Sequence, residues 1–163
     1  MLIAILSDSH DDDKNVRRTL ELCDQMNITE FIHCGDVGGQ RIFDQFVGRS
    51  LRFVWGNTDY PRPPLRAYLQ KVGIPEPSQI PNRFTIDGKS FALFHGHERS
   101  FQHALFNPDA LQVDYILHGH THIPCHDQID NTTIINPGAL HRANPKTFAT
   151  LNPQEGTLTH HSI

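Results

Sequence analysis

The chain has 163 residues, 37% hydrophobic and 20% charged, the composition of an ordinary globular protein long enough to bury a core without disulfides or a structural metal. Its 18 acidic and 14 basic side chains leave a formal charge of -4, so bulk electrostatics give no footprint for sequence-independent binding to nucleic acid or an anionic membrane. Three widely spaced cysteines, Cys23, Cys34 and Cys125, form neither a disulfide framework nor a zinc knuckle and fit a reducing compartment.

Residues 2–6 are short and continuously apolar, which predicts a strand buried on both faces. The run has no basic leader and is far below the roughly 20 apolar residues of a membrane span, so the expectation is a cytoplasmic protein forming one domain over residues 1–163. Ser7-Asp8-Ser9-His10 follows. Capping and acidic residues from Asp11 to Asn15 then open a helix on which Val16, Leu20 and Cys23 recur at helical spacing. The unit repeats: a second run over residues 31–34 stops at Gly35-Asp36 and leads through Gly38-Gly39 to a helix with Ile42, Phe43 and Phe46. A third run, residues 51–55, stops at Gly56-Asn57-Thr58-Asp59. Three strands joined by helices imply right-handed crossovers and a parallel sheet.

Between residues 60 and 81 the composition changes, with Pro61, Pro63, Pro64, Pro75, Pro77 and Pro81 framing one helix near residues 65–72. This is an excursion expected to help form the rim of a site. A hairpin follows, its strands at 84–86 and 91–94 flanking Asp87-Gly88, and its second strand ends at His95-Gly96-His97. After a helix over 100–106, Tyr115-Ile116-Leu117 opens into His118-Gly119-His120-Thr121-His122. Hairpins around Asp130-Asn131 and residues 152–156 close the chain, and His160-His161 reads as incidental surface. Parallel strands with helices first, then mostly antiparallel strands, predict an α/β chain of two packed sheets with helices outside.

Five apolar runs thus meet groups with metal-binding chemistry just past their C-terminal ends: Asp8 and His10, Asp36, Asn57, His95, and His120 with His122. Each alone reads as a helix cap, a turn residue or a surface group. Together they occupy one topological role, because in open α/β sheets ligands collect outside the carboxyl ends of the strands. Alternate residues of an extended chain face one way, so His118, His120 and His122 could share one ion, and a loop could instead divide them between two. The nitrogen and oxygen donors suit Mn, Fe, Ni, Co or Zn. Seven side chains exceed what one ion takes, which argues for two ions that clamp phosphoryl oxygens during in-line displacement, the chemistry of phosphoester hydrolysis.

Asp8-x-His10, Gly35-Asp36, Gly56-Asn57-x-Asp59, His95 and Gly119-His120-x-His122 resemble, in order and spacing, the motifs of the calcineurin-like metallophosphoesterases. The resemblance extends to the turn Asn136-Pro137-Gly138, and the short length looks like the compact single-domain phosphodiesterase branch. It implies a four-layer α-β-β-α sandwich, two mixed sheets flanked by helices, with two divalent transition-metal ions at the strand ends, manganese favoured. One metal would be held by Asp8, His10 and His122, the other by Asn57, His95 and His120, with Asp36 bridging. The nucleophile would be a water or hydroxide between them, and the partner a small phosphoester substrate. A homo-oligomer is compatible with the sequence.

One departure from the pattern matters. Many phosphatases of this superfamily place His directly after the Asn ligand, where this chain has Thr58, which is no acid at neutral pH. Leaving-group protonation then falls to water or to His97, and activated or diester substrates are favoured over monoesters. His118, before the glycine, is expected to pack rather than ligate, and Arg62, Arg83 and Arg99 read as solvated surface. The alternative of another class is a non-catalytic scaffold, since the small subunit of the retromer coat looks like this fold.

Overall fold

Four consecutive apolar side chains make β1, Ile3–Leu6, a strand with every residue buried. In the computed structural model, which describes residues 1–163, β1 is the central strand of the first of two five-stranded sheets. It pairs in parallel with β2, Glu30–His33, which pairs in parallel with β3, Ser50–Phe53. The crossovers are α1, Asp13–Gln25, and the short α2, Gln40–Asp44. Asp12 caps α1 by accepting the Asn15 amide, and Val16, Leu20 and Cys23 form its buried stripe. A third helix, α3 at Pro63–Val72, starts on two prolines and ends at Gly73 in the left-handed conformation, as predicted for the proline-framed excursion.

The second sheet contains β4, Asn82–Ile86, β5, Lys89–Leu93, β6, Tyr115–Leu117, β7, Cys125–Ile129, and β8, Thr132–Asn136, in the order β4-β5-β6-β8-β7. This sheet is mixed, as expected: β5, β6 and β8 run parallel and the outer pairs antiparallel, and most pairings of the later strands are antiparallel. The helix α4, Arg99–Phe106, carries the chain from β5 to β6, and β7 serves as the return path to β8. β7 begins four residues earlier than its hydrophobicity indicates, because Cys125-His126-Asp127-Gln128 is an edge segment held by backbone pairing to β8. The chain then returns to the first sheet, where β9, Thr147–Asn152, lies antiparallel to β1 and β10, Thr157–Ser162, forms the edge.

His160 and His161, expected as incidental surface, belong to β10. His160 Nε2 donates to the Asn136 carbonyl at 2.8 Å, while His161 lies 2.8 Å from Thr150 Oγ1 and stacks on Phe148 with ring centroids 4.8 Å apart. No helix is long and apolar enough to cross a membrane.

Three apolar layers hold this α-β-β-α arrangement. Phe31, Phe43, Phe46 and Phe53 pack with the α1 stripe outside the first sheet. Ile3, Ile5, Ile32 and Val54 meet Phe91, Leu93, Tyr115 and Leu117 between the sheets. Phe94 and Ile116 pack against Phe101 and Ala104 of α4 outside the second. Within the central layer Phe91 is fully buried, stacked between Phe84 at 5.3 Å and Tyr115 at 4.9 Å. Phe91→Ala is therefore expected to destabilise the fold by about 3–5 kcal/mol, read as a lower urea midpoint at unchanged m-value.

Candidate metal centre

Parallel pairing levels the C-terminal ends of β1, β2 and β3, with Leu6 beside His33 and His33 beside Phe53, so three loops leave the first sheet together. The first two are laced by backbone bonds, Asp8 N–H to the Gly35 carbonyl and His10 N–H to the Asp36 carbonyl, both 3.0 Å. Loops from the second sheet meet them. His95 Nδ1 donates to the Cys34 carbonyl at 2.8 Å, and the His120 amide donates to Asp8 Oδ2 at 3.0 Å. This approach needs Gly119, where a Cβ would stand 1.8 Å from Ser7 Oγ, and Gly56, where one would stand 2.0 Å from Asp36 Oδ1.

Five of the seven candidates have positive φ: Asp8 at 53°, His10 at 43°, Asp36 at 51°, His120 at 67° and His122 at 60°. Left-handed backbone is unfavourable for residues with a Cβ and persists where surrounding bonds over-determine it. Asp59 accepts from the amides of Val37, Gly38 and Gly56, clipping the second loop to the third. Glu98 accepts from the amides of His95 and Gly96 and holds the loop after β5. Asn136 donates to the Gly119 carbonyl and to Thr121 Oγ1, fixing the loop after β6.

All seven candidates come together. Asp8 Oδ2 is filled by the Ser7 hydroxyl at 2.5 Å and the His120 amide, which leaves Oδ1 facing His122 Nε2 at 3.2 Å and His10 Nε2 at 3.9 Å. Asp36 Oδ1 accepts the Thr58 amide at 2.9 Å, while its Oδ2 lies 3.5 Å from both His10 Nε2 and His95 Nε2, midway between two clusters. Asn57 Oδ1 is 2.9 Å from His95 Nε2, and the His120 ring centroid is 5.0 Å from that of His95. Potential ligand atoms gather in two groups, Asp8 with His10 and His122, and Asp8 with Asp36 and His95.

The donor set fits divalent cations. With Nδ1–H committed to Cys34, a neutral His95 turns a lone pair toward Asn57 Oδ1 and Asp36 Oδ2, so acceptors face acceptors and only a proton or a cation satisfies them. Asp8 Oδ1 and His10 Nε2 are likewise buried with no partner. Burial alone would raise the Asp36 carboxyl, but a proton on His95 Nε2, standing where a cation would, and the Thr58 amide hold it well below the usual carboxylate range. Burial would lower His95, yet Asp36 and the Cys34 carbonyl raise it. His10 and His120 are lowered, by burial first.

His97 lies at the edge, 38% exposed, its ring 5.3 Å from His95 and 6.2 Å from His120. His118 turns away from the cluster, packing on Phe101 and bonding to the Gly119 carbonyl. Sequence reasoning passed over Ser7, Glu98 and His141. His141 bonds Asp12 through Nδ1 at 3.2 Å and sets its ring 5.7 Å from His10, but a single His after a turn carries no spacing that marks it.

Asp, Asn and His side chains thus converge at the facing strand ends of a two-sheet sandwich, the arrangement that the motifs' resemblance implies for a phosphoesterase. The chain belongs to the calcineurin-like phosphoesterase superfamily, whose domain model matches residues 1–156. It is 30% identical over 142 residues to a phosphodiesterase of Methanocaldococcus jannaschii, covering 85% of this chain and 83% of that one. Among solved structures an archaeal phosphodiesterase superposes with a TM-score of 0.87 at 25% identity over 100% of both chains. A zinc complex of Vps29 from Entamoeba histolytica superposes with a TM-score of 0.67 at 18% identity, over 100% of this chain and 98% of that one, a likeness of fold alone.

A cation at this centre competes with protons for imidazole nitrogen. Apparent Mn(II) affinity is therefore expected to fall about tenfold or more between pH 8 and pH 6, since each ligand that must lose a proton contributes up to about tenfold per unit below its pKa. Calorimetry in buffers of different ionisation enthalpy should record net proton release, at least one per protein at pH 6.

Proposed function

We propose that the protein is a metal-dependent phosphodiesterase. The observation that carries this is the convergence of Asp and His side chains from the loops of both sheets around buried atoms that have no partner, Asp8 Oδ1 and His10 Nε2, in a member of a phosphoesterase superfamily. In this reading Asp8, His10 and His122 would hold one divalent ion and Asn57, His95 and His120 the other, with Asp36 shared between them. The chemistry such ions supply when bound is activation of water and neutralisation of charge on phosphoryl oxygens. The choice among Mn, Ni, Fe, Co and Zn lies open to all these nitrogen and oxygen donors, with manganese favoured.

The protein's own residues set the geometry. Ser7 and the His120 amide occupy Asp8 Oδ2 and leave one oxygen to ligate; the Thr58 amide does the same for Asp36. Thr58 supports a ligand in another way as well, since its hydroxyl lies 3.4 Å from His10 Nδ1. His97, exposed beside His95 and His120, faces substrate and donates the leaving-group proton. A diester is favoured because no Lys or Arg side chain bonds to any of the seven residues. Five arginines pair away from the centre: Arg17, Arg49, Arg52 and Arg66 with carboxylates, and Arg83 with the Leu111 carbonyl. The scaffold alternative rests on the Vps29 likeness; because that Vps29 structure is itself a zinc complex, turnover and not metal binding separates the two readings.

With Mn(II) the purified protein is expected to hydrolyse an aryl phosphodiester. Chelator should abolish turnover, and Asp36→Asn or His120→Ala should lower it by at least about 100-fold with circular dichroism unchanged. Two metals bound without turnover on diesters, monoesters and cyclic nucleotides would replace catalysis with a metal-stabilised binding module. For His97→Ala the discriminating comparison is between leaving groups. An aryl diester should stay within about threefold of wild type while an alkyl diester slows about 100-fold, because only the poorer leaving group needs the proton. Equal effects on both would remove His97 from that role.

A further inference from the structure

His33 is the last residue of β2, fully buried and three residues before Asp36. Its neighbour Ile32 packs between the sheets, so His33 points to the opposite, helix-covered face, the side of Phe31. There its Nε2 lies 2.8 Å from Ser9 Oγ, and the same hydroxyl donates to the Val37 carbonyl at 2.8 Å. A hydroxyl has one proton. The carbonyl can only accept it, so His33 must donate its Nε2–H to Ser9, and the tautomer is settled.

That tautomer leaves Nδ1 as a lone pair, and this atom is buried with no partner. Burial, and then the neighbouring His95, push the imidazole down to about 3, which keeps it neutral. An unsatisfied buried acceptor is a cost that an apolar side chain would avoid in a layer of Phe, Leu and Ile. What His33 supplies in return is geometry. Ser9 sits between Asp8 and His10, Val37 follows Asp36, and one hydroxyl ties both loops to the end of β2 while Asp8, His10 and Asp36 hold positive φ.

We propose that His33 is a positioning residue for the metal centre: through Ser9 and the Val37 carbonyl it locks the loop bearing Asp8 and His10 against the loop bearing Asp36, at the spacing that two ions require. The inference rests on the two-ion reading under Proposed function. It acts on this chain's ligands and not on substrate, so metal binding tests it apart from turnover.

The experiment is a titration of Mn(II) into the purified protein at pH 7.5. Free Mn(II) is followed by electron paramagnetic resonance, and frozen samples are read for a spin-coupled pair. Wild type is expected to take up two ions with a coupled signal. Folded His33→Leu should bind at least one ion about tenfold or more weakly and lose the coupled signal, a magnitude usual for groups that orient metal ligands. Ser9→Ala should reproduce this loss, and it decides the matter if His33→Leu does not fold. His33→Gln, whose amide can donate near the position of Nε2, should recover most of the affinity. Unchanged affinity and coupling in folded Ser9→Ala would overturn the role, as would His33→Gln performing no better than His33→Leu. A wild-type protein that binds no Mn(II) would overturn the two-ion centre itself, and the role of His33 with it.

Discussion

The register that sets Leu6 beside His33 and His33 beside Phe53 is the constraint on which the site depends. Successive side chains of a strand face opposite ways, so a slip of one residue in β2 would turn Phe31 out of the helix-side core and Ile32 out of the layer between the sheets. Burying an apolar side chain of that size stabilises by roughly 1.5–3 kcal/mol, so the slip is strongly disfavoured. The same burial therefore places Asp36 level with Asp8. Sheet assembly and site assembly are one event, and the central apolar layer extends it to the second sheet by bringing His95 under Cys34 and His120 over Asp8.

What this convergence creates is unfavourable in isolation. Carboxylates, an amide oxygen and imidazole lone pairs face one another with few donors, on backbone that is left-handed at five ligand positions. The loops nevertheless keep their shape through a second set of side chains that point away from the centre. Asp59 and Glu98 bind backbone amides of the ligand loops, and Asn136 binds a carbonyl and a hydroxyl of the loop after β6. Glu98 and Asn136 lie outside the seven candidates yet fix the loops that carry them. A centre held in this way would be largely formed before an ion arrived, which would limit the ordering cost of binding.

Much of this was legible in the chain because two signals coincide at each strand end. A continuous apolar run marks a buried strand, and the polar residue that stops it is chemically out of place unless it has a function. Asp8, Asp36, Asn57, His95 and His120 all lie at such stops. The supporting residues were not legible, since Ser9, His33 and His141 have no periodic or spacing signal and are recognised only by what they touch. His33 was hidden further by standing inside the apolar run, where an imidazole fills space like any core side chain. The helix predicted over 100–106 between β5 and β6 is the same crossover signal that marks the first sheet, whereas the placement of β8 beside β6 is not legible, because β7 intervenes in sequence. His160 and His161 were misjudged for a related reason: polar residues on an edge strand are held by partners distant in sequence, here Asn136 and Thr150.

The charge balance bears on the choice of substrate. Two divalent ions bring four positive charges against the carboxylates of Asp8 and Asp36, with all other ligands neutral, so the loaded centre would carry a surplus near two. A phosphodiester, with one negative charge, leaves that surplus free to stabilise the charge that develops on the equatorial oxygens and the leaving group in the transition state. A phosphomonoester dianion would consume it in the ground state. A dianion would call for further cationic donors; here no Arg or Lys side chain bonds to the seven residues, and Thr58 donates its amide to Asp36 with its hydroxyl 3.4 Å from His10 Nδ1. The residue after Asn57 thus does more than withhold a proton donor: Thr58 contacts both Asp36 and His10, and on the proposed reading the remaining chemistry suits a singly charged ester.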